Sequence, residues 1–223
     1  MHRAAVFDMD GLLIDSERSI MTAWLEVARD MGVALSEHEY RKVIGRTARE
    51  SDDVLVEAFG GQEDFASAQT NVQRILDVRF SSAGFAAKAG AKELLSALTA
   101  RGVPCAVASS SSRLEIENRL KAAGVMQHFS AIAGGDEVLR GKPDPSVYLL
   151  AASRLGVQAV SCVAFEDSHN GACAALASGA ALVIVPDLVQ PLPEVEFRSL
   201  CVLGSLNEAV PHLDAWFSAA LDS

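Results

Sequence analysis

Two pairs of acidic residues stand where short apolar runs end, in positions that suit metal or phosphate chemistry. Asp8 and Asp10 follow the first such run of the chain, and Glu166 and Asp167 follow the fourth. Carboxylates at the end of a buried strand are costly unless a cation or hydrogen bonds offset their charge. An EF-hand calcium loop does not fit, because its glycine would fall elsewhere and a helix would precede it. Taken alone, the first pair fits either metal or phosphate chemistry or an acidic turn in which Gly11 sets the bend.

Hydroxyl and ammonium groups occur at two further positions of this kind. Ser109 and Ser110 follow another apolar run, just before a predicted helix whose N-terminus can bind an anion. Lys142 precedes Pro143, and a residue before proline is held extended, so we expect Lys142 to be fixed ahead of the next helix. Each feature has an ordinary alternative, since serines cap helices and loop lysines are usually solvated. The combination of all four clusters nevertheless indicates a functional site.

The elements that must position these residues form a regular alternation. Short apolar runs are separated by amphipathic stretches that end in glycine, and this pattern predicts a doubly wound parallel α/β sheet of Rossmann-like type. The runs cover residues 4–7, 105–108, 131–133, 162–165 and 182–185, with a final short strand near 201–203. Because ligands bind at the carboxyl ends of the strands in such sheets, we expect the four clusters along one edge.

One long segment interrupts the alternation. Residues 16–84 carry helical patterning without a clear buried strand, and a capping box at Ser36 to Glu39 marks one helix start. They predict an all-helical cap domain of about four helices inserted after the first strand. The α/β core would then consist of residues 1–15 and 85–223.

Composition narrows the class of ligand and the compartment. The chain has 223 residues and a formal net charge of −10, which argues against nucleic-acid and anionic-membrane partners. It does not argue against small phosphate esters, because a metal ion and a few basic residues can reverse the local field. The 4 widely spaced cysteines and the lack of a long apolar stretch predict a cytoplasmic protein without a membrane span.

In this order, the four clusters resemble the motifs of the haloacid dehalogenase superfamily. They read Asp8-x-Asp10-Gly11, then Ser109 after a strand, then Lys142-Pro143, and finally Glu166-Asp167. The helical insert resembles the small cap of the β-phosphoglucomutase-like branch, so the resemblance covers essentially the whole chain. The aspartate two residues after the first marks the members that process phosphate.

The resemblance implies a division of work among the carboxylates. Asp8 would attack phosphorus and form an aspartyl-phosphate, while Asp10 would protonate the leaving oxygen and then activate water. Mg²⁺ would be held by Asp8, the backbone carbonyl of Asp10 and Asp167, with Glu166 either a ligand or a partner behind the ligands.

The resemblance also assigns the groups that hold the phosphoryl oxygens. Ser109 would donate its hydroxyl and Ser110 its backbone N–H to these oxygens. Lys142 would offset the repulsion between carboxylates and stabilise charge on the transferring group. The expected substrate is therefore a small phosphorylated metabolite such as a sugar phosphate.

Cap residues are the candidates for substrate selection. Glu17 and Arg18 at the cap entry, together with Arg46 and Arg49, could contact the substrate, and an arginine suits bidentate recognition of a phosphate or a carboxylate. For Arg46 and Arg49, solvated charges at a helix start are an equally good interpretation. Arg49 at the third helical position is electrostatically unfavourable there, which favours a ligand role for it.

Two activities and two non-enzymatic functions compete for this site. The β-phosphoglucomutases carry a histidine where this chain has Ile20, so a phosphatase is favoured over a phosphosugar mutase. A signalling receiver domain would be much shorter and would place its phosphoacceptor on a middle strand. A binding protein with a degenerate site is not favoured, because every expected catalytic position is filled.

Overall fold

A computed structural model describes residues 1–44, 48–80 and 84–217, apart from the side chains of residues 48–50. Its centre is a six-stranded sheet in the order β3-β2-β1-β4-β5-β6, with every pair of neighbours parallel. The strands are β1 (Ala4–Phe7), β2 (Cys105–Ala108), β3 (Phe129–Ala133), β4 (Cys162–Glu166), β5 (Ala181–Ile184) and β6 (Cys201–Val202). The doubly wound parallel sheet is thus confirmed. From the central β1, strands β2 and β3 extend the sheet to one side, and strands β4, β5 and β6 extend it to the other.

Helices cover both faces of the sheet and form the long insertion. Four of the described helices fall within residues 16–84, after β1: α1 (Glu17–Asp30), α2 (Glu37–Tyr40), α3 (Ala48–Phe59) and α4 (Gln62–Phe80). The others are α5 (Ala91–Ala100), α6 (Arg113–Ala123), α7 (Ser146–Arg154), α8 (His169–Ser178), α9 (Pro193–Glu196) and α10 (Leu213–Trp216). Among the described residues, no helix is long and apolar enough to cross a membrane.

The strands are continuously apolar because both faces of the sheet are buried. Along β1, Phe7 packs into a cluster that includes α5 and α6, whereas Val6 packs into a second cluster with α7 and α8. Phe7 also stacks on Phe165 of the neighbouring strand, with ring centroids 4.6 Å apart. The packing on both faces of the sheet therefore sets the position of the carboxyl end of β1, independently of the polar residues that follow it.

The inserted helices have an apolar cluster of their own. Trp24 stacks on Phe65 at 5.8 Å, and Leu55 and Tyr40 belong to the same cluster. Leu188, from the loop after β5, also belongs to it. The division into a core of residues 1–15 and 85–223 and a cap of residues 16–84 stays a prediction, which this separate cluster supports.

We predict that Leu95→Ala lowers the free energy of unfolding by about 2 to 5 kcal/mol, because it opens a cavity in a packed core. Leu95 lies on α5 and is fully buried against the sheet. Urea unfolding followed by far-UV circular dichroism measures the change. Leu139→Ala is the matched control, since Leu139 is fully exposed and should leave the urea midpoint unchanged. Equal midpoints for the two variants would contradict this packing.

Candidate active site

The four predicted clusters meet at the carboxyl edge of the sheet around one cavity of about 760 Å³. Residues of all four motifs line it, together with side chains of the inserted helices. The lining includes Asp8, Asp10, Glu17, Ile20, Ile44, Ser109, Ser110, Ser111, Arg119, Lys142, Asp167 and Ser168. The alternation of strands and helices therefore brings together residues that lie far apart in the sequence.

A buried ion-pair network forms the floor of the cavity. The Nζ atom of Lys142 lies 2.5 Å from Asp8 Oδ1 and 2.6 Å from Glu166 Oε1, and the lysine side chain is only 6% exposed. Burial alone lowers the pKa of Lys142, but the two carboxylates more than reverse this and hold the pKa above its ordinary value. The ammonium group therefore stays charged between them.

Glu166 is saturated with hydrogen bonds from the protein. Its Oε1 accepts from Lys142 and from the Tyr148 hydroxyl at 2.8 Å. Its Oε2 accepts from the backbone N–H groups of Asp167 and Ser168 and from the Ser168 hydroxyl, at 3.1 to 3.2 Å. A Cβ on Gly171 would lie 1.8 Å from Oε1, so only glycine lets α8 approach this carboxylate. These contacts join Glu166 to Lys142 and to the loop before α8.

Carboxylate oxygens of Asp8, Glu166 and Asp167 lie within 4.8 Å of one another. Burial raises the pKa of both aspartates well above the ordinary value, and repulsion among the three carboxylates raises it further. Hard oxygen donors that repel one another suit a divalent cation such as Mg²⁺. Gly11, at φ +82°, is needed here because a Cβ would lie 2.2 Å from Asp167 Oδ2.

Asp10 has different surroundings from Asp8. Its Oδ1 accepts hydrogen bonds from the Ser16 hydroxyl at 2.8 Å and from Arg119 Nη1 at 2.7 Å. Its Oδ2 accepts from the Ser111 hydroxyl at 3.0 Å. The two carboxylates of this motif are therefore distinguished, since one pairs with a lysine in the floor and the other with an arginine at the wall.

The serine loop after β2 lies at the start of α6, as predicted. Ser109 is buried, and its hydroxyl accepts from the backbone N–H of Ser111 at 3.1 Å. Ser110 is exposed beside it, and Ser112 caps α6 in a capping box with Glu115. All three residues from Ser109 to Ser111 line the cavity, where hydroxyl and N–H groups can meet an anion.

Sequence reasoning missed several residues of the site, among them Arg119, Tyr148 and Ser111. Arg119 lies on α6 between the buried Ile116 and Leu120, and a cation on the apolar side of a helix is the signal that could have found it. Tyr148 carries a comparable signal, because its hydroxyl is a polar group on the buried side of α7. Ser111 carries none, because it is one of four consecutive serines.

The predicted cap residues are only partly within the described part of the chain. Glu17 lines the cavity at the start of α1, and Ile20 lines it one helical turn later. Arg46 lies outside the described residues. Arg49 belongs to α3, but its side chain also lies outside the description, so both predicted arginine contacts stay predictions.

Tyr148→Phe should lower the free energy of unfolding by about 1 to 3 kcal/mol, because a buried carboxylate loses one of its donors. Urea unfolding of the two proteins checks the value. Tyr40→Phe is the matched control, since Tyr40 is buried in the apolar cluster of the inserted helices. If the two variants lose equal stability, the bond to Glu166 contributes nothing specific.

Glu17 predicts a pH dependence of stability. Burial, then repulsion by Asp10 and Asp187, raises the pKa of Glu17 from 4.5 to about 7 in the folded chain. Between those values the folded state binds more protons than the unfolded state, so Glu17 makes stability fall as pH rises through this window. Wild type should lose stability relative to Glu17→Gln between about pH 4.5 and about pH 7 in urea unfolding with a chelator present. A difference that stays constant with pH would contradict the raised pKa.

Comparison with known proteins shows the family. The family model of haloacid dehalogenase-like hydrolases matches residues 2–179. The chain is 32% identical over 176 residues to a phosphorylated carbohydrates phosphatase from Thermotoga maritima, covering 79% of this chain and 81% of the relative. It is 33% identical over 187 residues to hexitol phosphatase B from Escherichia coli K12, covering 82% and 83%.

A solved structure extends the likeness to nearly the whole chain. A haloacid dehalogenase family hydrolase from Deinococcus radiodurans R1, with bound phosphate and sodium, superposes with a TM-score of 0.78. It is 30% identical and covers 98% of this chain and 99% of its own. The four motifs around one cavity and these matches have one explanation. The chain belongs to the haloacid dehalogenase-like hydrolases.

Proposed function

We propose that this protein is a Mg²⁺-dependent phosphatase that hydrolyses a small phosphate monoester through an aspartyl-phosphate. The observation that carries the proposal is the pairing of Asp8 with a buried lysine beside two further carboxylates, with a second aspartate at the cavity wall. Relatives named as phosphatases of phosphorylated carbohydrates and hexitols support a carbohydrate phosphate as the substrate class.

Asp8 is the proposed nucleophile. An oxygen of its carboxylate forms a bond to phosphorus while the bond from phosphorus to the ester oxygen breaks. Lys142 contacts Asp8 directly, so its charge offsets the repulsion between this carboxylate and the incoming phosphoryl group. Ser109 and Ser110, which line the same cavity, would donate hydrogen bonds to the phosphoryl oxygens.

Asp10 is the proposed general acid and base. Its carboxyl proton passes to the ester oxygen as the alcohol leaves, and the resulting carboxylate then takes a proton from the water that attacks the aspartyl-phosphate. This second step restores Asp8 and releases inorganic phosphate. The separate surroundings of Asp10 and Asp8 support the division into two roles.

Asp8, Asp167 and the backbone carbonyl of Asp10 would hold Mg²⁺, with Glu166 contributing through its contacts to Lys142 or as a further ligand. The bound ion would supply positive charge that stabilises the phosphoryl oxygens. The mutually repelling, buried carboxylates support this assignment, because a divalent cation relieves their repulsion.

The inserted helices are proposed to act as a cap that selects the substrate. Glu17 lines the cavity, and Arg46 and Arg49 are proposed to contact the phosphate or another part of the substrate. Ile20 offers no polar group to the cavity, which supports hydrolysis over the phosphosugar mutase activity.

The free state of all four cysteines supports a reducing, cytoplasmic location.

We predict that the protein releases inorganic phosphate from one or more of a panel of sugar and hexitol phosphates when Mg²⁺ is present. A chelator should abolish the release, and Asp8→Asn should lower kcat by roughly three orders of magnitude or more, because the nucleophile is lost. Phosphate assays on purified protein measure both effects.

Asp30→Asn is the matched control, because it makes the same aspartate-to-asparagine change at an exposed position at the end of α1. It should leave turnover and metal dependence unchanged. Formation of an isomeric phosphosugar instead of free phosphate would establish the mutase. Failure of folded wild-type protein to release phosphate from any panel member would reject the phosphatase.

A further inference from the structure

We propose that Arg119 is a positioning residue that holds the Asp10 carboxylate where it can exchange a proton with the leaving oxygen. This inference rests on the proposed function, because it gives Asp10 the role of general acid and base. It concerns a residue of α6 that belongs to none of the four motifs.

The first argument is the contact geometry around Asp10. Arg119 Nη1 lies 2.7 Å from Oδ1, and Ser16 donates to the same oxygen at 2.8 Å. Ser111 donates to Oδ2 at 3.0 Å. Three donors from three different parts of the chain thus restrain both oxygens, and Arg119 is the charged one among them. Charge-assisted hydrogen bonds of this kind are the stronger ones.

The second argument is that Arg119 is itself held. Its guanidinium carbon lies 5.5 Å from the ring centroid of Phe85, and Nη2 lies 3.7 Å from Glu115 on the same helix. The side chain is 24% exposed, and α6 is anchored in the core by Ile116 and Leu120. A planar guanidinium group restrained by these contacts holds a fixed position relative to α6, and its hydrogen bond then restrains the Asp10 carboxylate.

The third argument is the distribution of cations. Among the described lining residues, the only cationic side chains are Lys142 and Arg119. Lys142 is already shared by Asp8 and Glu166 in the floor. Arg119 is therefore the cation that serves Asp10, and its contact is not duplicated by another charged group lining the described cavity.

The expected consequence depends on the basicity of the leaving group. An alkoxide must receive a proton as it leaves, whereas the weakly basic p-nitrophenolate leaves without one. A misplaced acid should therefore slow the cleavage of an alkyl phosphate far more than the cleavage of p-nitrophenyl phosphate. Because kcat/KM reports the steps up to aspartyl-phosphate formation, it is the parameter to compare.

The test measures kcat/KM of Arg119→Met with p-nitrophenyl phosphate and with the panel alkyl phosphate that wild type hydrolyses fastest. We expect kcat/KM for the alkyl phosphate to fall about tenfold or more beyond any fall for the aryl phosphate. Asp10→Asn should show the same selectivity more strongly. Arg119→Lys should recover part of the loss, because it restores a cation.

Lys121→Met is the matched control on the same helix, with the same loss of charge at an exposed side chain that pairs with Glu117. It should leave both substrates unaffected. Equal loss of kcat/KM for both esters in Arg119→Met would overturn the inference, since that indicates general disruption. A rise in KM alone would make Arg119 a substrate ligand instead.

Three further outcomes are decisive. A gain in kcat/KM for the alkyl phosphate would overturn the inference, because the contacts would then hold Asp10 away from the leaving oxygen. If wild type hydrolyses neither ester, the proposed function fails and this inference fails with it. If wild type is active and Arg119→Met matches it on both esters, only the inference about Arg119 fails.

Discussion

At the carboxyl ends of β1 and β4, the ammonium group of Lys142 lies between the carboxylates of Asp8 and Glu166, and the rest of the site depends on this contact. The strand register creates it, because Phe7 pairs with Phe165 and the next residue of each strand is an acid. Two buried carboxylates side by side would repel one another strongly without a cation. Tyr148 and the backbone before α8 complete the compensation by donating to Glu166.

The same strand end produces two aspartates with different properties. Asp8 points into the lysine network of the floor, whereas Asp10 contacts Ser16, Ser111 and Arg119. Environments that separate two nearby carboxylates allow one to act as nucleophile and the other as acid and base. The turn between strand and helix thus presents two carboxylates in different surroundings, two positions apart, and this difference supports the two proposed roles.

The inserted helices are tied to the core by a loop that contains no motif residue. The side chain of Asp187, after β5, is 3% exposed and lies 2.6 Å from Lys88 and 3.5 Å from Arg18, so it joins the first inserted helix to the segment that follows the insertion. Next to it, Leu188 packs into the apolar cluster of the inserted helices and accepts a hydrogen bond from Arg41. These contacts hold α1, which forms one wall of the cavity, in a fixed position relative to the sheet, which carries the floor.

The sequence by itself determined how strands and helices alternate along the chain. Strands buried on both faces must be continuously apolar, and the helices between them must be amphipathic. It also placed Asp8, Ser109 and Asp167 at strand ends and Lys142 just ahead of a helix, and parallel strands present their carboxyl ends at one edge. Strand boundaries agreed to within two residues, as at β3, which begins at Phe129. The extent of the cap stays a prediction.

Only the tertiary structure decided which side chains reach these carboxylates. Arg119 contacts Asp10 across 109 positions of sequence, and Tyr148 contacts Glu166 across 18. Such contacts depend on how α6 and α7 pack on opposite faces of the sheet, and local periodicity carries no information about that packing. A cation or hydroxyl on an apolar helix face marks the residue, but its partner is selected by the distances that folding creates.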